Sequence, residues 1–244
     1  KLELLLILSE CDNISSLIDE CIKLGTLPFA IIARHGFIAE SLLRSLVGNN
    51  VFSLDRINHF KRNIKTISGE MSQEFNKVLN SDLSKDNFLD KYGHLRPSSY
   101  DILSPNYNNR VDLFDGVSST ACENIKPFSM TNDEIFKFKE LLKKHSFGEI
   151  SPEMILDYAE KAIKGREYAK FIFTRHLSNI LEEIAKWGSI EGFKRSEMAM
   201  LTLNDVKSIL FSPLTDDIKS FFQTKINKAK VNFDIASSFK LSYL

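Results

Sequence analysis

One long helical pattern in the second half of the chain constrains its folding most. Ser151-Pro152-Glu153 offers an N-cap followed by proline at the first helical position. Apolar residues then recur at intervals of three and four as far as Trp187, and Gly188 is predicted to end the helix. Such a helix spans roughly 50 Å at about 1.5 Å per residue. The other elements are therefore expected to be built round it.

A second helix, predicted for residues 29–47, is apolar on most of its sides. A helix of that kind is usually buried, so we expect it in the core. Gly25 and Pro28 are predicted to separate it from a first helix, and a Gly-Asn-Asn run is predicted to end it. These two helices are expected to form the centre of the fold.

Weaker patterns complete a mostly α fold, a multi-helical single domain of about nine helices with a long ordered loop. The further predicted helices are residues 54–79, 85–92, 132–145, 196–200, 204–210 and 215–229. The tail, residues 231–244, is predicted to be a strand or an extended segment. The domain is taken as residues 1–244, with 1–125 and 126–244 as an alternative subdivision.

The composition excludes several classes of protein. Lys and Arg together number 32, as do Asp and Glu, and the sequence pI is near 7.1. This balance argues against a nucleic-acid partner and against a polybasic membrane-surface protein. No apolar run approaches the ~18 residues that a membrane span needs. With only 10 glycines and 6 prolines, a turn-rich all-β fold is also disfavoured.

The three cysteines, Cys11, Cys21 and Cys122, form an odd set without CxxC spacing. This pattern predicts neither a disulfide framework nor a zinc site, and it favours a reducing, cytoplasmic compartment. The chain has no initiator methionine and shows no signal peptide. We therefore expect a fragment of a longer protein.

Chemistry-bearing side chains are densest in the non-periodic stretch that follows Gly93, which is predicted to be the C′ glycine of a helix. The candidates there are His94, Arg96, Tyr100, Asp101 and Tyr107. Arg grips oxyanions in a fixed fork, and a helix C-terminus would favour a cationic His94. This set suits a small polar ligand or a phosphoryl group. The alternative is a structural loop in which Asp101 pairs with Arg96.

Two predicted helices also carry cations on apolar faces. Arg34, His35 and Arg44 lie on the helix 29–47, and Arg166 lies on the long helix. A buried cation must be paired or must face a cavity, so Arg34 and Arg166 are predicted to be buried and to face one shared cavity. The alternative is a structural pair, for example between Arg34 and Glu40.

Several familiar site motifs are absent from the sequence. It contains no HExxH metal motif, no GxSxG nucleophile elbow and no GxxxxGK[ST] phosphate loop. No complete nucleotide or metal site is therefore predicted within this chain.

Three segments carry a family resemblance: GTLPFAIIARHGFIAESLLRSLV, KYGHLRPSSYDILSPNY and GREYAKFIFTRHLSNILEEIAKWG. They resemble the middle region of phosphoenolpyruvate-synthase-like dikinases, a group of PEP-utilising phosphotransferases, over about residues 25–206. Phosphoenolpyruvate-synthase relatives tend to have Arg directly after the His, whereas here Leu95 intervenes. The His-Leu-Arg-Pro form is more similar to the branch containing the L-glutamine kinase of capsular phosphoramidate synthesis.

The resemblance implies a three-part kinase. An ATP-grasp domain would use ATP and Mg²⁺ to phosphorylate a histidine on a swivelling domain, which would pass the phosphoryl group to an acceptor. Neither the ATP-grasp glycine-rich segments nor the carrier-histidine motif occurs in this chain. The chain would therefore be the central domain, would bind no cofactor itself and would be inactive when isolated.

The resemblance also implies site roles. His94 and Arg96 would be catalytic, with L-glutamine as the leading acceptor and the flanking domains as partners. Tyr100 and Asp101 would hold the acceptor. Because the loop would serve catalysis, replacing His94 or Arg96 by alanine is expected to lower turnover without lowering the melting temperature. The alternative is a non-catalytic helical scaffold that only spaces the two catalytic domains.

Overall fold

A computed structural model of the chain describes residues 14–117, 126–211 and 217–239. The mostly α prediction is confirmed, and these residues contain no β-strand. The α-helices are α1 (Ile14–Glu20), α2 (Leu27–Gly48), α3 (Leu54–Asn63), α4 (Ile67–Leu79), α5 (Lys85–Tyr92), α6 (Asn132–Lys144), α7 (Pro152–Ile190), α8 (Arg195–Met198), α9 (Leu203–Phe211) and α10 (Ile218–Ser237).

Helix α7 is the axis of the fold, with 39 residues. The first apolar cluster lies along its N-terminal half and joins α2, α3 and α6; its members include Leu43, Phe60, Phe138 and Ala159. The second apolar cluster lies along its C-terminal half and joins α1, α9 and α10; its members include Leu17, Ile180, Val206 and Phe222. The aromatic cluster lies beside the middle of α7 and consists of Val78, Phe88 and Tyr92 with partly buried neighbours such as Phe171.

Small residues let α2 lie close against α7. Ala33, Gly36 and Ala39 of α2 are buried. A Cβ atom placed on Gly36 would lie only 2.8 Å from Cδ of Arg166, a separation that real Cβ contacts do not reach. The glycine therefore makes room for the aliphatic part of the Arg166 side chain, and this contact fixes where that side chain leaves α7.

The opposite side of α2 is exposed, which contradicts the expectation of a buried helix. Ile31 is 57% exposed and Phe37 is 63% exposed. Arg34, His35 and Arg44 are exposed as well. Its apolar composition predicted a buried helix, but the buried residues of α2 are confined to the face that carries Ala33, Gly36 and Ala39. The prediction of a buried Arg34 is therefore wrong.

The predicted break around Pro28 is also wrong, because the chain stays helical from α1 into α2. A proline has no N–H, and its ring crowds the carbonyl four residues earlier in a regular helix. Here a π-helical stretch, Cys21–Thr26, precedes α2. Its wider turns accommodate Pro28, and the hydroxyl of Thr26 donates to the carbonyl of Cys21 at 3.3 Å.

The predicted helix 54–79 is two helices instead of one. Thr66 adopts an extended conformation, and its side chain caps α4 by accepting a hydrogen bond from the N–H of Gly69. Just before it, Asn63 accepts a hydrogen bond from the N–H of Phe128 at 3.1 Å. A local cap and one long-range contact thus interrupt a pattern whose apolar spacing continues across the break.

Two predicted helix ends are also wrong. Helix α7 passes through Gly188, where a Cβ atom would lie 2.3 Å from Cγ of Met198; the glycine serves close packing, and the helix ends at Ile190. Helix α10 continues to Ser237, so residues 231–237 are neither strand nor extended. Residues 1–13, 118–125, 212–216 and 240–244 lie outside the described part, together with the predictions made for them.

Of the three cysteines, only Cys21 lies within the described residues. It is a free, buried thiol, and burial raises its pKa to about 11.

Among the described helices, none is both long and apolar enough to cross a membrane.

Candidate functional site

The loop that follows α5 is closed at its base by backbone hydrogen bonds. The N–H of Tyr107 donates to the carbonyl of Leu95 at 2.8 Å, and the N–H of Asn108 donates to the carbonyl of Gly93 at 3.0 Å. Gly93 has a φ of −58°, so the expectation of a left-handed C′ glycine is wrong. Close packing explains the residue instead, because a Cβ atom there would lie 1.8 Å from Oδ1 of Asn108.

Arg96 anchors this loop to α7. Its Nη1 donates to the carbonyls of Asp101 at 3.3 Å and Ser104 at 3.1 Å. Its Nη2 donates to Oγ of Ser178 at 2.7 Å and to Oε1 of Glu182 at 2.9 Å. The residue is 6% exposed, so its guanidinium group is committed to holding the loop. The predicted structural pair with the Asp101 carboxylate does not form; the carbonyl of Asp101 is the acceptor.

His94 is a buried neutral side chain. Its Nε2 donates to the carbonyl of Phe171 at 3.2 Å, and its ring packs edge-on against the Phe171 ring. Burial, reinforced by the positive charge of Arg175, lowers the pKa of His94 to about 3. The expectation of a cationic His94 is therefore wrong. A histidine with this pKa is also a poor proton donor or acceptor near neutral pH.

The low pKa of His94 predicts a pH-dependent stability. An unfolded histidine binds a proton below about pH 6.5, whereas folded His94 stays neutral down to about pH 3. The unfolded state therefore binds more protons in this window, and the free energy of unfolding falls as the pH drops. As the pH falls from about 6.5 to about 4.5, we expect the free energy of unfolding to decrease by about 1–2 kcal/mol less in His94→Gln than in the wild type.

Urea denaturation followed by circular dichroism at a series of pH values measures this difference. Exposed His145 provides the control, because His145→Gln should follow the wild-type profile. Parallel profiles for the wild type and His94→Gln would contradict the neutral, buried His94.

A cavity of about 460 Å³ opens between the loop, α4 and α7; we call it the loop cavity. This volume falls within the range of small-molecule sites. Its lining includes apolar side chains such as Phe29 and Met71 and these polar ones: Arg96, Ser99, Tyr107, Arg166, Glu167 and Lys170. The loop cavity thus combines apolar walls with charges and hydroxyls, as ligand sites do.

Two cations of the loop cavity have no protein partner. Arg166 and Lys170 lie one turn apart on α7 and make no hydrogen bond or ion pair with any described residue. Arg96 differs, since it is paired with Glu182, and only its Nε is enclosed without a hydrogen-bond partner. The unpaired cations make the α7 wall of the cavity suitable for an anionic group.

The structure brings together three of the predicted site residues and separates the rest. Arg96, Tyr107 and Arg166 line the loop cavity. His94 lies nearby but does not line it. Tyr100 is exposed, and the Asp101 carboxylate accepts a hydrogen bond from the N–H of Leu103 at 2.8 Å.

The predicted residues of α2 lie on its surface, away from the lining. His35 Nδ1 lies 3.0 Å from the hydroxyl of Tyr158, and Nε of Arg44 donates to the carbonyl of Glu40. The expected shared cavity of Arg34 and Arg166 is therefore wrong, because Arg34 is exposed. Arg166 itself is partly buried, as its position on an apolar face indicated.

Sequence reasoning missed Glu167, Lys170 and Ser99. Lys170 follows Arg166 by four residues, so helical spacing alone places both on one face of α7. The position of Ser99 in the cavity lining follows from the closure of the loop. That closure depends on backbone hydrogen bonds that no local sequence pattern predicts. Among the described residues, no group of three or more His, Cys, Asp or Glu side chains could hold a metal ion.

The chain matches no protein-family model, no curated protein and no solved structure with which it was compared.

Proposed function

We propose that this chain is the acceptor-binding domain of a phosphohistidine-dependent kinase and that the loop cavity holds the acceptor. L-glutamine is the leading acceptor, as the family resemblance implies. The observation that carries the proposal is the loop cavity itself, in which Arg166 and Lys170 remain unpaired beside the loop with the His-Leu-Arg-Pro motif. Two cations without protein partners at the wall of a cavity are poised for a ligand's negative charge.

The cavity residues have separate tasks in this proposal. Arg166 is held over Gly36 and offers a fixed guanidinium fork to a carboxylate or a phosphoryl group. The hydroxyls of Ser99 and Tyr107 make no hydrogen bond with a described residue, so they are free to orient an amide. Holding an amide nitrogen in one orientation lowers the entropic part of the barrier to its attack on phosphorus.

Arg96 and His94 support the cavity in this proposal and do not touch the acceptor. Arg96 positions the loop, and neutral His94 packs against Phe171 of α7. As the family resemblance implies, the proposal assigns ATP and Mg²⁺ to other domains of a parent enzyme, and it derives no step through them.

Isothermal titration of the chain with L-glutamine, and separately with inorganic phosphate, tests this proposal. We expect Arg166→Gln to weaken L-glutamine binding at least about tenfold, equivalent to about 1.4 kcal/mol. Arg44→Gln is the matched control, since Arg44 is an exposed arginine outside the cavity. Absence of binding by the wild type, or equal affinities for the wild type and Arg166→Gln, would contradict the proposal.

The scaffold alternative is favoured by a different observation. The apolar outer face of α2, with Leu27, Ile31 and Phe37 each more than half exposed, is a surface that another domain could cover. His94 and Arg96 are also satisfied by internal contacts. If the chain is only a scaffold, the titration shows no binding, and Arg166→Gln leaves the turnover of the parent enzyme unchanged.

A further inference from the structure

The α7 wall of the loop cavity carries charges of both signs within about one turn. Arg166, Glu167 and Lys170 all line the cavity. Side chains three residues apart on a helix are neighbours, and a Glu–Lys pair at that spacing commonly forms. Here no ion pair joins Glu167 to Lys170 or to Arg166. The wall therefore presents two cations and one anion that do not neutralise each other.

Glu167 is the least satisfied of these groups. The residue is partly buried, and its Oε2 is enclosed without a hydrogen-bond partner. Oε1 is not among the enclosed atoms, so a ligand can reach this carboxylate from one side. A carboxylate left without donors destabilises a protein, and such groups in native structures usually have a functional explanation. A ligand with a cationic N–H group would give this carboxylate a partner through its accessible Oε1.

A wall with adjacent cations and an anion matches a ligand with the opposite arrangement. An α-amino acid carries its ammonium group one carbon away from its carboxylate. Arg166 and Lys170 suit that carboxylate, and Glu167 suits the ammonium group. The loop hydroxyls of Ser99 and Tyr107 then remain for the amino-acid side chain.

We propose that Glu167 is the specificity-determining residue that makes the loop cavity select α-amino acids over acids that lack the ammonium group. This inference rests on the proposed function of the cavity. A plain carboxylic acid or a phosphorylated acid would leave Glu167 unpaired and would bring a second negative charge towards it. Both effects penalise the wrong ligand, and specificity is the difference between two affinities.

Three compounds separate the contributions by titration calorimetry: L-glutamine, glutaramate and 4-aminobutanamide. Glutaramate keeps the carboxylate and the amide but lacks the ammonium group, and 4-aminobutanamide keeps the ammonium group and the amide but lacks the carboxylate. We expect the wild type to bind L-glutamine at least about tenfold more tightly than glutaramate. In Glu167→Gln this ratio should fall below about threefold, while glutaramate affinity stays equal or rises.

Matched variants show whether the effect belongs to this carboxylate. Glu160 lies two turns earlier on α7, is exposed and does not line the cavity, so Glu160→Gln should keep the wild-type ratio. Glu167→Gln should also keep the wild-type circular dichroism and should not lower the melting temperature, because Glu167 accepts no hydrogen bond within the described protein that would be lost. With 4-aminobutanamide, Glu167→Gln should weaken binding relative to the wild type.

The outcomes distinguish this inference from the proposed function. If the wild type binds neither L-glutamine nor glutaramate, the loop cavity is not an acceptor site and both proposals fall. If the wild type binds the two equally, or if Glu167→Gln keeps the preference, only the role of Glu167 is wrong. If Glu167→Gln weakens glutaramate as much as L-glutamine, the carboxylate contacts the amide, and the proposed selection of the ammonium group is overturned.

Discussion

Replacing Arg96 by alanine is expected to lower the free energy of unfolding by about 3–5 kcal/mol. The guanidinium group is buried and donates to two loop carbonyls, to Ser178 and to Glu182. Its removal leaves these acceptors without their donor and detaches the loop from α7. Guanidinium-chloride denaturation followed by circular dichroism measures the change. The variant should have a lower denaturation midpoint and nearly the same slope of free energy against denaturant concentration.

Arg110→Ala is the matched control in the same loop region. Arg110 forms an exposed pair with Asp112, two residues away, and such surface pairs contribute little. We expect it to change the free energy of unfolding by less than about 0.5 kcal/mol. Equal stabilities of Arg96→Ala and the wild type would restore the expectation, made from sequence alone, that Arg96 serves catalysis without supporting the fold.

The second large effect is expected for Phe88→Ala, which should cost about 3–5 kcal/mol of unfolding free energy. Phe88 is 0% exposed. Its ring centroid lies 5.6 Å from that of Phe75, 4.8 Å from that of Tyr92 and 5.6 Å from that of Phe114. Truncation leaves a cavity that the three neighbouring rings cannot fill. The loss of stability is therefore the sum of the lost hydrophobic transfer free energy and the cost of the cavity.

Thermal and urea denaturation of the same variant measure this cost. Phe136→Ala is the control, because Phe136 is 66% exposed on α6 and its truncation should change stability by less than about 0.5 kcal/mol. A loss below about 1 kcal/mol for Phe88→Ala would mean that the aromatic cluster repacks around the missing ring.

Local chemistry made several helix starts predictable. Ser84 and Ser151 were expected to cap helices, and their hydroxyls accept hydrogen bonds from the N–H groups of Asn87 and Met154. The same reasoning failed at Pro28, because a π-helical stretch lets a helix continue through a proline. It also failed at Gly188, because a glycine that serves close packing has the same sequence signature as one that ends a helix.

The candidate site was predictable only where a side chain's surroundings follow from its own helix. Arg166 lies on an apolar face of α7, and that face does meet other elements. Arg34 lies among equally apolar neighbours, but no described element covers its side of α2. Periodicity identifies an apolar face without saying what packs against it. The side-chain partners of Arg96, Ser178 and Glu182, are likewise more than 80 residues away on α7, a distance in sequence that no local pattern spans.

The length of α7 has a consequence for the cooperativity of unfolding. All three clusters place side chains against this one helix, so none of them can lose its contacts without affecting backbone that the others share. Local openings that expose a single cluster therefore cost nearly as much free energy as opening the whole helix. Amide protons in the middle of α7 should exchange with solvent through global opening, and the described helices should melt as one thermodynamic unit.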